Sequence, residues 1–342
     1  MKIIVDAMGG DNAPDAIVIG AINAVKHPEI EITLVGKGED ILRAFDRLGI
    51  KELPSGIEIV NASEIIEFDE DPTNAIRTKK DSSLTVGFSL LRDERGSALV
   101  SAGSTGALLS GATLIVKRVR GIRRAALAPV IPSTTGNFIL IDCGANTECI
   151  PEYLLQFAYM GSFYAESILK ITSPKVGLLN NGTEETKGTS LQRETYEFLK
   201  NSTLNFIGNI EAKDAMKGVC DVVVCDGYTG NIFLKAIEGA ASLILSELKN
   251  AYTSNIITKF SALMIKKKIS GIKNKLNPDA IGGTALLGIS KPVIKAHGSS
   301  NEKAIYNAIM QAVREVDFGI AVRLSDNIER LKVSIDKTDE GF

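Results

Sequence analysis

The sequence predicts an α/β protein of three layers, αβα, with helices on both faces of a largely parallel sheet. Three observations predict it. Short apolar runs alternate with longer helical stretches along most of the 342 residues, the pattern of repeated strand–helix units. Several runs, such as Ile139-Leu140-Ile141 and Val222-Val223-Val224, are apolar at every position, as parallel strands covered on both faces are. Four glycine-rich turns follow strand-like runs, and open sheets of this class bind ligands at the carboxyl ends of their strands.

The elements follow in order. Ile3-Ile4-Val5 places the first strand at 2–6, and Pro14 opens a helix over 14–26, proline being favoured at a first helical position. A strand at 31–35 leads to a helix at 40–48. The turn between them, Gly36-Lys37-Gly38, lacks the third glycine of a dinucleotide fingerprint, since Ile41 takes its place, and Glu39 and Asp40 would oppose a pyrophosphate; it reads as an ordinary turn. Apolar runs place further strands at 57–60, 98–101, 138–142, 175–180, 205–208, 221–225 and 292–296. Helical stretches between and after them fall at 84–92, 105–116, 151–170, 186–200, 232–252 and 301–318. Residues 1–325 read as a single catalytic domain with room for two lobes, and the charged tail, 326–342, is expected to fray.

Composition narrows the functional classes. With 44% apolar and 23% charged residues and a net charge of −2, nothing global favours nucleic acid. The four cysteines lack CxxC spacing and the two histidines form no HExxH, so neither a disulfide framework nor a histidine-built metal site is expected. Met1 leads directly into the first strand, so no signal peptide is expected. No apolar run reaches the length of a spanning helix. One segment departs from the average: 248–278 contains seven lysines and no Asp or Glu. Phe260 and Leu263 fall on an apolar helical stripe beside Lys266, Lys267 and Lys268. Such a helix suits an anionic membrane surface; a solvated lysine face over a core-packing stripe is the alternative.

The stretch with most chemistry is 101–107, SAGSTGA, between an apolar run and a helix. Glycines admit backbone N–H groups to a ligand, hydroxyls add donors, and a helix N-terminus favours negative charge. Similar turns occur at 6–11 (DAMGGD), 142–146 (DCGAN) and 226–231 (DGYTGN). Together they predict a protein that handles phosphate or a similar oxyanion, with Asp6, Gly9, Gly10, Asn12, Asp142, Asn146 and Asp226 around the cleft. For Asn12 a helix cap is an equal reading. Asn180 leaves a strand, and Lys187 follows in what reads as the next helix; a lysine beside amides can neutralise phosphate or a developing oxyanion. Asn231 is placed at a helix start, and His297 at a strand's carboxyl end before Gly-Ser-Ser, where acid–base work is plausible.

These pieces, in this order, resemble the bacterial phosphate acyltransferase family of phospholipid synthesis. The matching segments are DAMGGDNAP (6–14), SAGSTGA (101–107), DCGAN (142–146), GLLNNGTEETKG (177–188), FIGNIEAKD (206–214), DVVVCDGYTGN (221–231), GGTALLG (282–288) and HGSS (297–300). Thr284-Ala285 and Asn181 depart from the family's usual residues. The resemblance implies a fold like that of isopropylmalate dehydrogenases and phosphotransacetylases, and a homodimer. It implies transfer of a fatty acyl group from acyl–acyl carrier protein to inorganic phosphate, with no cofactor or metal. It also implies a cytoplasmic enzyme attached peripherally to the membrane. Within it, phosphate is assigned to Ser104, Thr105 and Gly106 with help from Lys187. Asn231 and His297 are assigned to the carbonyl or the leaving thiolate. No serine elbow is present, so phosphate is expected to attack the thioester directly. A phosphotransacetylase using acetyl-CoA, a nicotinamide-dependent dehydrogenase and a non-catalytic carrier-binding scaffold are the rivals.

Overall fold

The expected strands assemble into two sheets. The computed structural model describes residues 1–254, 258, 271 and 282–328. The first sheet has the order β3 (Ile57–Asn61), β2 (Glu31–Gly36), β1 (Lys2–Asp6), β4 (Ala98–Ser101), β12 (Val293–Lys295), β11 (Thr284–Leu287), β5 (Ala126–Ala128). Its first five strands are parallel, and β11 is antiparallel to both neighbours. The second has the order β6 (Val130–Pro132), β7 (Asn137–Ile141), β10 (Val222–Val224), β8 (Lys175–Leu179), β9 (Asn205–Ile210), parallel except for β6. The chain crosses between the sheets at Pro129. There Leu127 and Pro129 also accept the backbone N–H groups of Cys143 (3.0 Å) and Leu140 (3.1 Å). The largely parallel layer is therefore present, but in two pieces joined through β5 and β6. Those two strands and β11 are absent from the sequence reading because three or four residues are too few to display a period, and Pro129 interrupts the run.

The helices are α1 (Asp15–Ala24), α2 (Gly38–Arg47), α3 (Pro72–Thr78), α4 (Ser83–Arg92), α5 (Thr105–Gly111), α6 (Pro151–Tyr164), α7 (Ser190–Lys200), α8 (Ala212–Lys217), α9 (Gly227–Thr253), α10 (Glu302–Asp317) and α11 (Ile320–Asp326). α5 and α6 run on into π-helical turns, Ala112–Val116 and Ala165–Leu169. Three short helices, α3, α8 and α11, were not expected, although Asp71 caps α3 through the Asn74 N–H (2.7 Å) and Pro72 opens it, a legible start signal. Two starts are corrected. A reciprocal cap between Thr189 and Gln192 begins α7 at Ser190, so Lys187 lies in the preceding loop and not on the helix. Asp226 caps α9 by accepting the Thr229 N–H (2.8 Å), so Asn231 stands in the second turn and not at the helix start.

Side-chain alternation along the strands builds two cores. Ile3, Val5, Ile139, Ile141, Val222 and Val224 pack on one face with Ile17 of α1, Leu154 and Phe157 of α6, and Ile305 and Ile309 of α10. Ile4, Leu99, Leu140 and Val223 pack on the other with Phe88 and Leu91 of α4 and Leu108 of α5. Each core runs across both sheets, so the two sheets act as one middle layer. Each large apolar side chain so buried contributes roughly 1.5–3 kcal/mol. No described helix is long and apolar enough to cross a membrane. Phe260, Leu263, Lys266, Lys267 and Lys268, and most of the terminal tail, lie outside the described residues.

Candidate active site

Three loops of the first sheet interlock at its carboxyl edge. Asp6, buried at the end of β1, accepts the Ser101 hydroxyl (2.7 Å) and the Met8 N–H (3.2 Å). Ser101 Oγ in turn accepts the Gly103 N–H at 3.0 Å. Burial pushes the Asp6 carboxyl above its ordinary range, and the Ser101 bond acts against that. Two glycines are required by close approach. A Cβ on Gly9 would sit 2.5 Å from the Gly103 nitrogen, and one on Gly10, at φ +99°, would sit 2.9 Å from the Gly298 carbonyl oxygen. Asn12 completes the lock: its amide donates to the carbonyls of Ser299 (3.1 Å) and Ser300 (3.2 Å). Asn12 thus holds the HGSS loop in place.

Ser104 caps α5 through the Ala107 N–H at 3.4 Å. The N–H groups of Thr105 and Gly106 begin the helix and have no acceptor among the described residues, as the first turn of a helix leaves them. A Cβ on Gly106 would meet the Pro72 ring at 2.6 Å, so this glycine also serves the packing of α3 on α5.

The second sheet presents a different construction. Asp142, fully buried after β7, accepts five hydrogen bonds: from the backbone of Leu127 (2.9 Å), Cys143 (2.6 Å), Ala145 (3.3 Å) and Asn146 (2.7 Å), and from the Asn146 amide (3.0 Å). Burial raises its carboxyl, and these donors, Asn146 foremost, oppose the rise. The Gly227 N–H donates to the Asn146 carbonyl at 2.7 Å. A Cβ on Gly230 would overlap the Asp142 carbonyl oxygen. The first turn of α9 is therefore seated directly on the 142–146 loop.

Between these walls lies a cleft of about 1040 Å³. Thr105, Lys295 and His297 line it from the first sheet, Cys143, Gly144 and Asn231 from the second. An apolar stretch of Leu127, Val130, Ile131, Leu234, Ile237 and Leu245 continues it. His297 Nδ1 accepts the Ser299 N–H (3.2 Å) and lies 2.9 Å from Ser299 Oγ. In a neutral ring the proton is then on Nε2, which makes that atom a donor. Cys143 donates its thiol to the Gly230 carbonyl (3.4 Å), and burial pushes it up to about 12.

The cleft therefore gathers Thr105, Asn231 and His297 of the expected residues. Asp6, Gly9, Gly10, Asn12, Asp142, Asn146 and Asp226 frame the loops behind it, and Ser104 and Gly106 flank Thr105. Asn180 and Lys187 share one loop after β8, where the Asn180 amide donates to the Lys187 carbonyl (3.1 Å). Lys187 is half-exposed beside Glu184 at 3.9 Å, and neither residue lines the cleft. Sequence reasoning missed Lys295 and Lys235, which do line it. The signal for Lys295 was a lysine closing the apolar run Pro292-Val293-Ile294, two residues before His297.

A family model described as "Fatty acid synthesis protein" matches residues 1–323. A phosphate acyltransferase of Thermoanaerobacter pseudethanolicus is 48% identical over 97% of this chain and 98% of its own length. That of Oceanobacillus iheyensis is 44% identical over 99% and 100%. Among solved structures, a phosphotransacetylase from Streptococcus pyogenes superposes with a TM-score of 0.64 at 19% identity, covering 93% of this chain and 94% of that one. A 4-hydroxythreonine-4-phosphate dehydrogenase from Klebsiella pneumoniae does so at 0.53 and 9%, covering 92% and 99%. These last two share the fold. The chain belongs to the phosphate acyltransferase family and is an acyltransferase.

Proposed function

We propose that this acyltransferase moves a fatty acyl group from acyl–acyl carrier protein to inorganic phosphate, giving acyl phosphate for membrane phospholipid synthesis. The carrying observation is the composition of one cleft: open N–H groups and cations at one end, and an apolar trough along β5, β6 and α9. The trough suits an acyl chain, and the polar end an oxyanion and a thioester.

In this reading phosphate lies against the start of α5, at Ser104, Thr105 and Gly106. One of its oxygens attacks the thioester carbon. The tetrahedral oxyanion is met by the Asn231 amide, collapse breaks the carbon–sulfur bond, and the carrier leaves as a thiolate that the His297 Nε2–H stabilises with a hydrogen bond. The state of Cys143 supports direct attack: a hydrogen-bonded thiol held near 12 is a poor nucleophile at neutral pH. Positioning and oxyanion stabilisation then supply most of the acceleration. Lys187, outside the cleft lining, is given no phosphate contact. Attachment to anionic lipid through 248–278 and assembly as a homodimer complete the proposal. Exposed Ile232, Leu243 and Ile244 on α9 support a surface that meets another molecule.

The test is carrier-thiol release with and without phosphate, using a long-chain acyl carrier thioester and acetyl-CoA in parallel. Phosphate-dependent release from the long-chain donor is expected. Preference for acetyl-CoA would favour the phosphotransacetylase reading, and release independent of phosphate would overturn both.

A further inference from the structure

Lys295 ends β12 inside the cleft, partly buried. It forms no ion pair among the described residues. Its Nζ donates to two backbone carbonyls, Ala102 (3.4 Å) and Ala296. An ammonium partly withdrawn from water and hydrogen-bonded only to carbonyls is stabilised when an anion joins it. The surroundings supply a place for one. Ala102, whose carbonyl Lys295 holds, opens the turn that ends in the free N–H groups of Thr105 and Gly106. Lys235, from α9, adds a second cation to the same cleft, paired there with Glu238 at 2.7 Å.

We propose that Lys295 is the phosphate-binding side chain of this cleft, receiving the anion between its ammonium and the first N–H groups of α5. This rests on the function proposed above and names the group that takes the phosphate. A phosphate group could enter as the free ion or as the phosphodiester of a carrier's pantetheine arm. The position of Lys295, against the loop that opens α5, assigns it the free ion. The charged groups around it are Asp6 at the end of β1, Asp11 in the following loop and the Lys235–Glu238 pair on α9, and the His297 ring lies on its own strand's extension. Burial, and secondarily Lys235, lower its proton affinity to about 8, with Asp6 and Asp11 opposing.

Two variants test the assignment. Inorganic phosphate should raise the wild-type Tm by several degrees, because it binds only the folded state, and Lys295→Met should abolish that rise. Without phosphate, Lys295→Met should melt no lower than wild type, since it removes a partly buried charge that has no ion pair among the described residues. A retained phosphate shift, or a lower melting point without phosphate, would overturn the proposal. Lys295→Arg keeps a charge that does not titrate. The KM for phosphate should rise roughly tenfold from pH 7 to 9 in wild type relative to Lys295→Arg, because the lysine loses its proton across that range. Parallel profiles, or a change confined to the KM of the acyl donor, would also overturn it. If wild type releases no thiol in response to phosphate, the functional reading fails, while the melting comparison still decides whether Lys295 binds the anion.

Discussion

The two walls of the cleft treat their polar groups in opposite ways. On the second-sheet wall, Asp142 takes five donors and Asp226 takes two, from the backbone and hydroxyl of Thr229. On the first-sheet wall, the N–H groups of Thr105 and Gly106 have no acceptor among the described residues, and Lys295 donates to two carbonyls. A polar group satisfied within the protein sets shape. One left unsatisfied beside a cleft is arranged for something that arrives. Glycine-rich turns of similar appearance in the sequence thus divide into a frame and a binding edge.

The largest effect should come from breaking the frame. Asp142→Ala leaves its donors buried without an acceptor, a loss of about 3–5 kcal/mol. Urea denaturation should show it, while the folded fraction keeps its KM for phosphate. A variant of normal stability with a raised KM would invert the comparison and make Asp142 part of the binding edge.

His297→Ala addresses the binding edge. Among the described residues its ring bonds only within its own loop, so turnover should fall roughly 10²-fold, the lower end of what loss of one preorganised donor costs, with little change in Tm. A stability loss without a turnover loss would move His297 into the frame.

Glu315 sharpens the distinction from beneath. It is fully buried on α10, accepts the Tyr164 hydroxyl (2.8 Å) and the Gln311 amide (3.3 Å), and Gln311 accepts the Gly283 N–H (2.9 Å) at the cleft lip. Burial raises the carboxyl from 4.5 to about 7. The folded state therefore holds a proton that the unfolded chain has released. Stability should be highest below about pH 4.5 as far as this group is concerned, and should fall as pH rises through 7, by an amount on the order of 3 kcal/mol. Glu315→Gln should flatten that slope between pH 5 and 7.5 in thermal melts; an unchanged slope would remove Glu315 from the account.

Lys187→Ala should change thiol release less than about threefold, since the side chain is half-exposed and outside the cleft. A loss of 10² or more would bring the 180–188 loop into the cleft and give the binding edge a contribution from the second sheet.

Much of the fold was legible because it rests on patterns local to the chain. Ile3-Ile4-Val5 and Val222-Val223-Val224 announce buried strands by composition alone. Pro14 and Pro151 mark helix starts. The division into two sheets was not legible, because it turns on three-residue strands around Pro129 whose pairing is long-range. The site followed the same division. His297 and Thr105, which line the cleft, were legible because strand ends before small-residue loops are where such folds place ligands. Lys187 attracted attention through its amide and hydroxyl neighbours in sequence, yet those neighbours bond within their own loop. Lys295 passed unnoticed because a lysine closing a strand looks solvated until β4 and β11 are laid beside it.

The contact between Gly9 and Gly103 bears on how this chain can diverge. A side chain on Gly9 would run into the Gly103 backbone, so enlarging Gly9 cannot be offset by reducing Gly103, which is already the smallest residue. Compensating pairs, the ordinary route by which packed positions drift, are closed at this point. Two segments separated by more than ninety positions therefore behave as one inherited unit, and variation must be taken up elsewhere in the cleft.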